Sequence, residues 1–362
     1  MSGHRRRGGI FPALAAFGAL LALIGGAAQA EARTLDLPAN AGWQHAATGL
    51  VLRSRLAGYQ RTWIDDSGTA ELDISANFEA PDRSTVVTLY LFRPALISVP
   101  VWFDRSETQI LLRDEFHGVQ PAAEARAFAP PGSTVASALR RVYVTGLDAY
   151  RTTGLAMMPM GEWLVAVRIS SHDADPAALE ARLDAVIAAI GWPEGAADGV
   201  PASLVADCPE PLEYARRAKL QRPSMADALL GSALLGAAAQ RADDATATES
   251  APAVLCRDAP GKVEYGVYRD TAELKRQAYL MALGDAGRTI SVAPSIGALV
   301  DGSKGYMLSL GDLDRTLIFP NFDKLAPPDK ALETVTSTAP ISSFVRGADG
   351  GSTINISTDA VR

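Results

Sequence analysis

Apolar and polar residues alternate strictly over Ala70-Glu71-Leu72-Asp73-Ile74-Ser75-Ala76-Asn77-Phe78, with the even positions apolar. A period of two sends successive side chains to opposite faces, so this run predicts a strand with one buried and one wet face. Thr85 to Phe92 (TVVTLYLF) is apolar or β-prone on both faces, the pattern of a central strand covered on both sides. Asp65-Asp66-Ser67-Gly68 and Ala80-Pro81-Asp82-Arg83 supply the turns between them, and residues 57–93 read as a three-stranded meander. The pattern returns with strands near 137–146, 148–157 and 162–170, the last placing Trp163, Val165, Val167 and Ile169 on one face.

Each meander is followed by a helical pattern. Asp104 and Glu107 have the spacing of a capping box, Ile110 and Leu111 fall on the buried side, and His117-Gly118 provides a stop. Asp175-Pro176 opens a second helix as an N-cap and first-turn proline, and Leu179, Leu183, Val186, Ile187 and Ile190 recur at helical spacing. The order is three strands and a helix, twice. The expected fold class is α+β, with a first domain over residues 41–192 built on an antiparallel sheet of about six strands with packed helices.

Residues 193–204, opening with Pro193-Glu194-Gly195, read as a linker, and residues 205–362 as a second, smaller α+β domain. There the expected elements are a helix from Met225 to Arg241, a low-complexity loop from Ala242 to Pro252, and β-prone runs at Val263 to Tyr268, Thr289 to Val292, Tyr306 to Leu310 and Thr316 to Phe319.

The aromatic segment Gly58-Tyr59-Gln60-Arg61-Thr62-Trp63 opening such a sheet makes residues 45–192 resemble the PsbP-like architecture in order of elements. Trp163-Leu164-Val165-Ala166-Val167-Arg168-Ile169 is similar to stretches of uncharacterised secreted bacterial proteins. The resemblance implies a non-enzymatic domain that assists or binds something, and it carries over no functional residue.

The N-terminus changes the picture from fold to address. His4-Arg5-Arg6-Arg7 precedes an uncharged apolar stretch from Ile10 to Ala27, and Ala28-Gln29-Ala30 has the small-x-small form a signal peptidase accepts. Residues 1–30 are expected to be a cleavable signal peptide cut between Ala30 and Glu31. Gly18, Gly25, Gly26 and Pro12 interrupt the apolar run, which favours cleavage over an uncleaved anchor. The mature product is expected in the periplasm or outside the cell, with no stable membrane anchor. Its charge is set by 31 basic and 41 acidic residues, a net of minus 10, which argues against nucleic acid and anionic membranes as partners. Export also gives Cys208 and Cys256 a reason to pair: an isolated pair in an oxidising compartment reads as a structural disulfide, and closing a ring of roughly 50 residues stabilises the fold by about 4 kcal/mol in the chain-entropy model.

Candidate chemistry is sparse. His45, His117 and His172 remain after cleavage, with no H-E-x-x-H and no histidine pair at helical spacing, so no metal is expected. In His172-Asp173-Ala174-Asp175, helix capping by Asp175 competes with a metal or acid-base site. Asp114-Glu115-Phe116-His117 likewise offers a helix-end histidine or a titratable cluster. G-x-S-x-G and S-x-x-K are absent, and Gly297-Ala-Leu-Val-Asp-Gly302-Ser303-Lys304 reverses the lysine and serine of a phosphate loop and reads as a hairpin turn. Trp43, Trp63, Trp102, Trp163 and Trp192 all fall within residues 41–192, where core packing is their default role. No cofactor is expected. The leading expectation is a non-catalytic binding or accessory module of the cell envelope, with an unknown small molecule or protein as ligand. An exported hydrolase assembled from distant residues around His117 or His172, and an envelope assembly protein with an exposed apolar patch or sheet edge, are the alternatives.

Overall fold

A computed structural model describes residues 32–68, 70–116, 118–194, 199–223, 253–295, 305–346 and 351–357. The expected signal peptide over residues 1–30, Glu31, His117, the helix expected over Met225 to Arg241, the low-complexity segment expected down to Pro252 and the hairpin turn expected over Gly297 to Lys304 lie outside them.

Two antiparallel sheets make up the molecule. The first has ten strands in the order β1-β5-β6-β7-β12-β11-β10-β8, with β4 beside β5 and β9 beside β10. Its centre is the two expected meanders: β5 (Tyr59–Asp66), β6 (Asp73–Glu79) and β7 (Thr85–Phe92), then β10 (Ala138–Val144), β11 (Thr152–Met160) and β12 (Trp163–Ser171). They join through antiparallel β7–β12 pairing, with Thr88 opposite Arg168 and Tyr90 opposite Ala166. The outer strands are two- or three-residue pieces: β1 (Arg33–Thr34), β4 (Arg55–Leu56), β8 (Gln120–Pro121) and β9 (Arg126–Phe128). A separate two-stranded ribbon pairs β2 (Trp43–Gln44) with β3 (Val51–Leu52).

The second sheet is an eight-stranded meander in chain order: β13 (Leu255–Ala259), β14 (Tyr265–Asp270), β15 (Tyr279–Leu283), β16 (Arg288–Pro294), β17 (Tyr306–Gly311), β18 (Arg315–Phe322), β19 (Ser342–Arg346) and β20 (Ser352–Ile356). Three α-helices are described: α1 (Val99–Leu111), α2 (Pro176–Ala189) and α3 (Pro328–Ser337).

The expected fold class is therefore corrected. The molecule is mostly antiparallel β with large sheets of ten and eight strands, not α+β around a six-stranded sheet with a smaller partner. Two- and three-residue edge strands are too short to show a period, and the second sheet hides four strands, β13, β15, β19 and β20, in runs too short or too mixed to stand out.

Each sheet has its own core. Ile74, Ala76, Phe78, Val165, Val167 and Ile169 face α2, whose Leu179, Leu183, Val186 and Ile187 are buried against them. Asp175 caps α2, accepting the Ala178 amide at 2.8 Å. The core of the second sheet includes Met281, Ile290, Leu308 and Phe319, closed by Ala331 and Val335 of α3. A third cluster spans both sheets. In it Trp102, Phe103 and Ile110 of α1 meet Leu155, Met157 and Leu164 on the other face of the first sheet, and Tyr268 and Ala282 of the second. Helix α1 is thus a wedge between the sheets. It starts at Ser98, with Pro100 in its first turn, earlier than the Asp104 to Glu107 capping box predicts, and Leu111 is 39 % exposed. Asp104 and Glu107 are freed for other work.

Candidate functional site

On the first sheet, the face turned toward the wedge is apolar at β10 and β11 and polar at β5, β6 and β7. The odd positions of β6 (Asp73, Ser75, Asn77) share this face with Thr88, Tyr90 and Phe92 of β7 and Arg168 of β12, as the register of directly opposite pairs requires. Asn77 donates from Nδ2 to Thr62 Oγ1 at 2.7 Å, and Thr88 Oγ1 donates to Asn77 Oδ1 at 3.3 Å. Over this floor hangs the β15–β16 turn, fixed by the Ala95 amide, which donates to the Gly287 carbonyl at 2.7 Å. Gly287 has φ of +81°, and a Cβ there would meet the Phe92 ring at 3.0 Å, so glycine is required on both counts.

The turn brings Asp285 into the field of Arg168, Arg105 and Arg113. Burial raises the Asp285 carboxyl, and those arginines pull it back. Burial also pushes the Tyr90 hydroxyl up to about 12 and lowers Arg168. Asp73 is pushed up to about 6, chiefly by burial, with Arg288 opposing and Asp285, Asp66 and Asp312 adding to the rise. Arg288 is itself engaged, donating from Nε to Asp312 Oδ1 at 2.8 Å. Among the described residues, no donor lies within hydrogen-bond reach of the Asp73 carboxyl. A partly desolvated carboxyl that accepts no hydrogen bond from a described residue, set among charges of both signs, can bind a polar group or hold a proton near neutral pH.

A second polar cluster beside it is a clamp. Asp104 accepts from Tyr268 Oη at 2.6 Å and from Arg257 Nη1 at 2.5 Å, and Arg257 Nε donates to Asp207 at 2.9 Å. Arg105, with no exposed surface, donates from Nε to the Gly284 carbonyl at 2.7 Å and from Nη2 to the Val263 carbonyl at 2.9 Å. Glu107 accepts from Tyr143 Oη at 2.9 Å and Arg141 Nη1 at 2.6 Å. The bonds of Asp104, Arg105 and Glu107 tie α1 to both halves of the molecule, and the Arg257 to Asp207 bond extends the clamp to residue 207. Cys208 and Cys256 are disulfide-bonded, with Cα atoms 4.9 Å apart, directly beside Asp207 and Arg257.

The sequence candidates are placed as follows. His45 is fully buried in the first core: its Nδ1 accepts from the Thr48 amide and hydroxyl, Nε2 donates to the Glu71 carbonyl at 3.1 Å, and the ring lies edge-on to Trp163 at 4.5 Å. His172 is exposed at the far end of β12, a strand of nine residues or about 27 Å, so these two histidines do not converge. Asp173 is held by Arg182 at 2.9 Å and accepts from Ser171 Oγ at 2.8 Å, which pulls its pKa well down. Asp114, Glu115 and Phe116 form a 3-10 turn after α1. Trp43, Trp102 and Trp163 are buried, as core packing requires. Among the described residues no group of three histidine, cysteine or acidic side chains could hold a metal, and no helix is long and apolar enough to cross a membrane. The sequence reading missed Asp73, Tyr90, Arg168 and Asp285. Its available signal was a lone arginine at 168 inside an otherwise apolar strand, facing the polar positions of β6.

Comparison with known proteins returns no match: no family model, no curated protein and no solved structure matches this chain.

Proposed function

We propose that the protein is an exported, non-catalytic binding or accessory module that takes a small polar ligand in the cleft between the β6–β7 floor and the β15–β16 turn. The observation that carries this reading is Asp73, a carboxyl kept partly out of water in the field of Asp285, Asp66 and Asp312, opposed by Arg288, which is itself bonded to Asp312, and accepting no hydrogen bond from a described residue. A folded protein leaves such a cost standing where a ligand supplies the missing donor. The ligand accordingly carries an amine or other hydrogen-bond donor for Asp73, with Ser75, the next residue on the same face of β6, offering a neutral contact. The signal-peptide pattern of residues 1–30 and the Cys208–Cys256 disulfide support an extracytoplasmic site of action.

The test is a thermal-shift screen of the protein purified after export, against amines, amino acids, sugars and short peptides, run in parallel on Asp73→Asn. The expected result is a compound that raises the melting temperature of the parent and fails to raise that of the variant. Equal shifts in both proteins, or no shift in the parent across the panel, would overturn the reading.

A further inference from the structure

Four strand edges close the two sheets, and three of them are protected. The first sheet ends in strands of two or three residues, β1 and β4 along one margin and β8 and β9 along the other, with Arg33, Arg55, Pro121 and Arg126 among them, and none offers a long ladder to a newcomer. At one end of the second sheet, β13 carries an irregularity between Arg257 and Ala259 and is covered by the Asp207 bridge and the disulfide. The other end is β20, Ser352-Thr353-Ile354-Asn355-Ile356: five exposed or half-exposed residues with no charge, no proline and no bulge, and no further strand beside it among the described residues. Ile354, at its centre, is 43 % exposed.

The hydrogen-bond parity of β20 is fixed. The Ser357 amide donates to the Ile341 carbonyl at 2.9 Å, and Ser342 stands opposite Ile356, which makes that a non-hydrogen-bonded pair. Thr353 and Asn355 therefore turn their backbone groups toward β19, and Ser352, Ile354 and Ile356 turn theirs outward. A two-fold axis through Ile354 pairs 354 with 354, 352 with 356 and 353 with 355. Every outward N–H and C=O of the strand then finds a partner, about six bonds in all. The side chains match as well. Ile354 meets its own copy on the face where it already stands opposite Phe344, and Thr353 of the second copy comes against Asn355. Asn355 borders a shallow hollow of about 240 Å³, lined also by Leu317, Pro340, Ser342, Ser343 and Ser357 and free of charge, so an uncharged hydroxyl is a fitting neighbour.

We infer that β20 is a homodimer edge, joining two copies of this chain into one continuous antiparallel sheet through a two-fold axis at Ile354. Sedimentation equilibrium of the exported protein from 1 to 500 µM tests this. The parent is expected to shift from monomer to dimer mass with concentration. Ile354→Pro removes only an outward N–H, so it leaves the β19–β20 hairpin and the melting temperature in place while weakening the dimer at least tenfold. Ile354→Lys and Ile354→Glu are each expected to be monomeric and, mixed, to form a heterodimer, an outcome that a misfolded edge could not give. A parent that stays monomeric at 500 µM, a dimer unchanged by Ile354→Pro, or a monomer that adds an uncharged extended peptide at this edge would each overturn the inference. None of these outcomes depends on Asp73 or its cleft.

Discussion

At the scale of single residues, two buried titratable groups set opposite pH dependences. Asp73 has a folded pKa of about 6 against an ordinary 3.8, so the folded chain holds that proton more tightly than the unfolded one. Its contribution is present below pH 3.8 and is lost as pH rises through 6, a cost of up to about 3 kcal/mol at pH 8. Asp73→Asn should therefore raise stability in urea at pH 8 by about 1–3 kcal/mol and change it little at pH 3.5; a less stable variant at pH 8 would show that the carboxylate has a hidden partner. His45 behaves the other way. Burial lowers its pKa against the opposing pull of Glu71 and Asp66, so its contribution is intact above pH 6.5 and is eroded on acidification below it. In Asp73→Asn the compensating acid-side gain is gone, and unfolding midpoints should fall more steeply from pH 7 to pH 5 than in the parent. The site itself was only faintly legible in the sequence. Its members lie on β6, β7, β12 and a turn more than a hundred residues later, and only register and packing bring them together.

Among the elements, legibility followed length and period. The strands β5, β6, β7, β10, β11 and β12 and helix α2 carry long unbroken patterns and overlap the stretches the sequence predicts, with β6 starting at Asp73 and β11 at Thr152, after the turns that the expected runs include. Helix α1 begins at Ser98, earlier than the sequence predicts, because the acidic pair at 104 and 107 imitates a capping box. Both side chains are in fact turned to neighbouring strands, Asp104 onto Tyr268 and Glu107 onto Tyr143. The clamp predicts that Asp104→Ala, which strands a buried tyrosine hydroxyl and leaves Arg257 with Asp207 alone, costs about 3–5 kcal/mol. A double-mutant cycle with Tyr268→Phe should give a coupling above about 1 kcal/mol. A coupling near zero would mean that α1 is held by its apolar face only. Because Asp104, with Arg105 and Gln109, carries the polar bonds from α1 to the second half of the molecule, Asp104→Ala should also split a single unfolding transition toward two, one for each sheet.

For the molecule as a whole, the disulfide and the wedge act on the same joint. Cys208 and Cys256 are separated by 48 residues, and breaking the bond releases a ring whose closure contributes about 4 kcal/mol in the chain-entropy model. The bond also pins residues 206–208 against β13: the Cys208 amide donates to the Arg257 carbonyl at 2.8 Å and the Arg257 amide to Ala206 at 2.8 Å. That pinning holds Asp207 where it shares the Arg257 guanidinium with Asp104, so edge strand, bridge and α1 form one chain of contacts between the sheets. Cys208→Ser/Cys256→Ser should accordingly lower the unfolding free energy by about 4 kcal/mol and raise hydrogen exchange in both β13 and α1. The non-local part of this prediction separates two physical accounts. If the bridge acts only on the unfolded chain, its loss costs the same in the parent and in Asp104→Ala. If it also aligns Arg257 with Asp104, the loss is smaller once Asp104 is gone, and the two changes combine to less than their sum. Urea unfolding of the four proteins of this cycle decides between the accounts, and the shared guanidinium predicts the second.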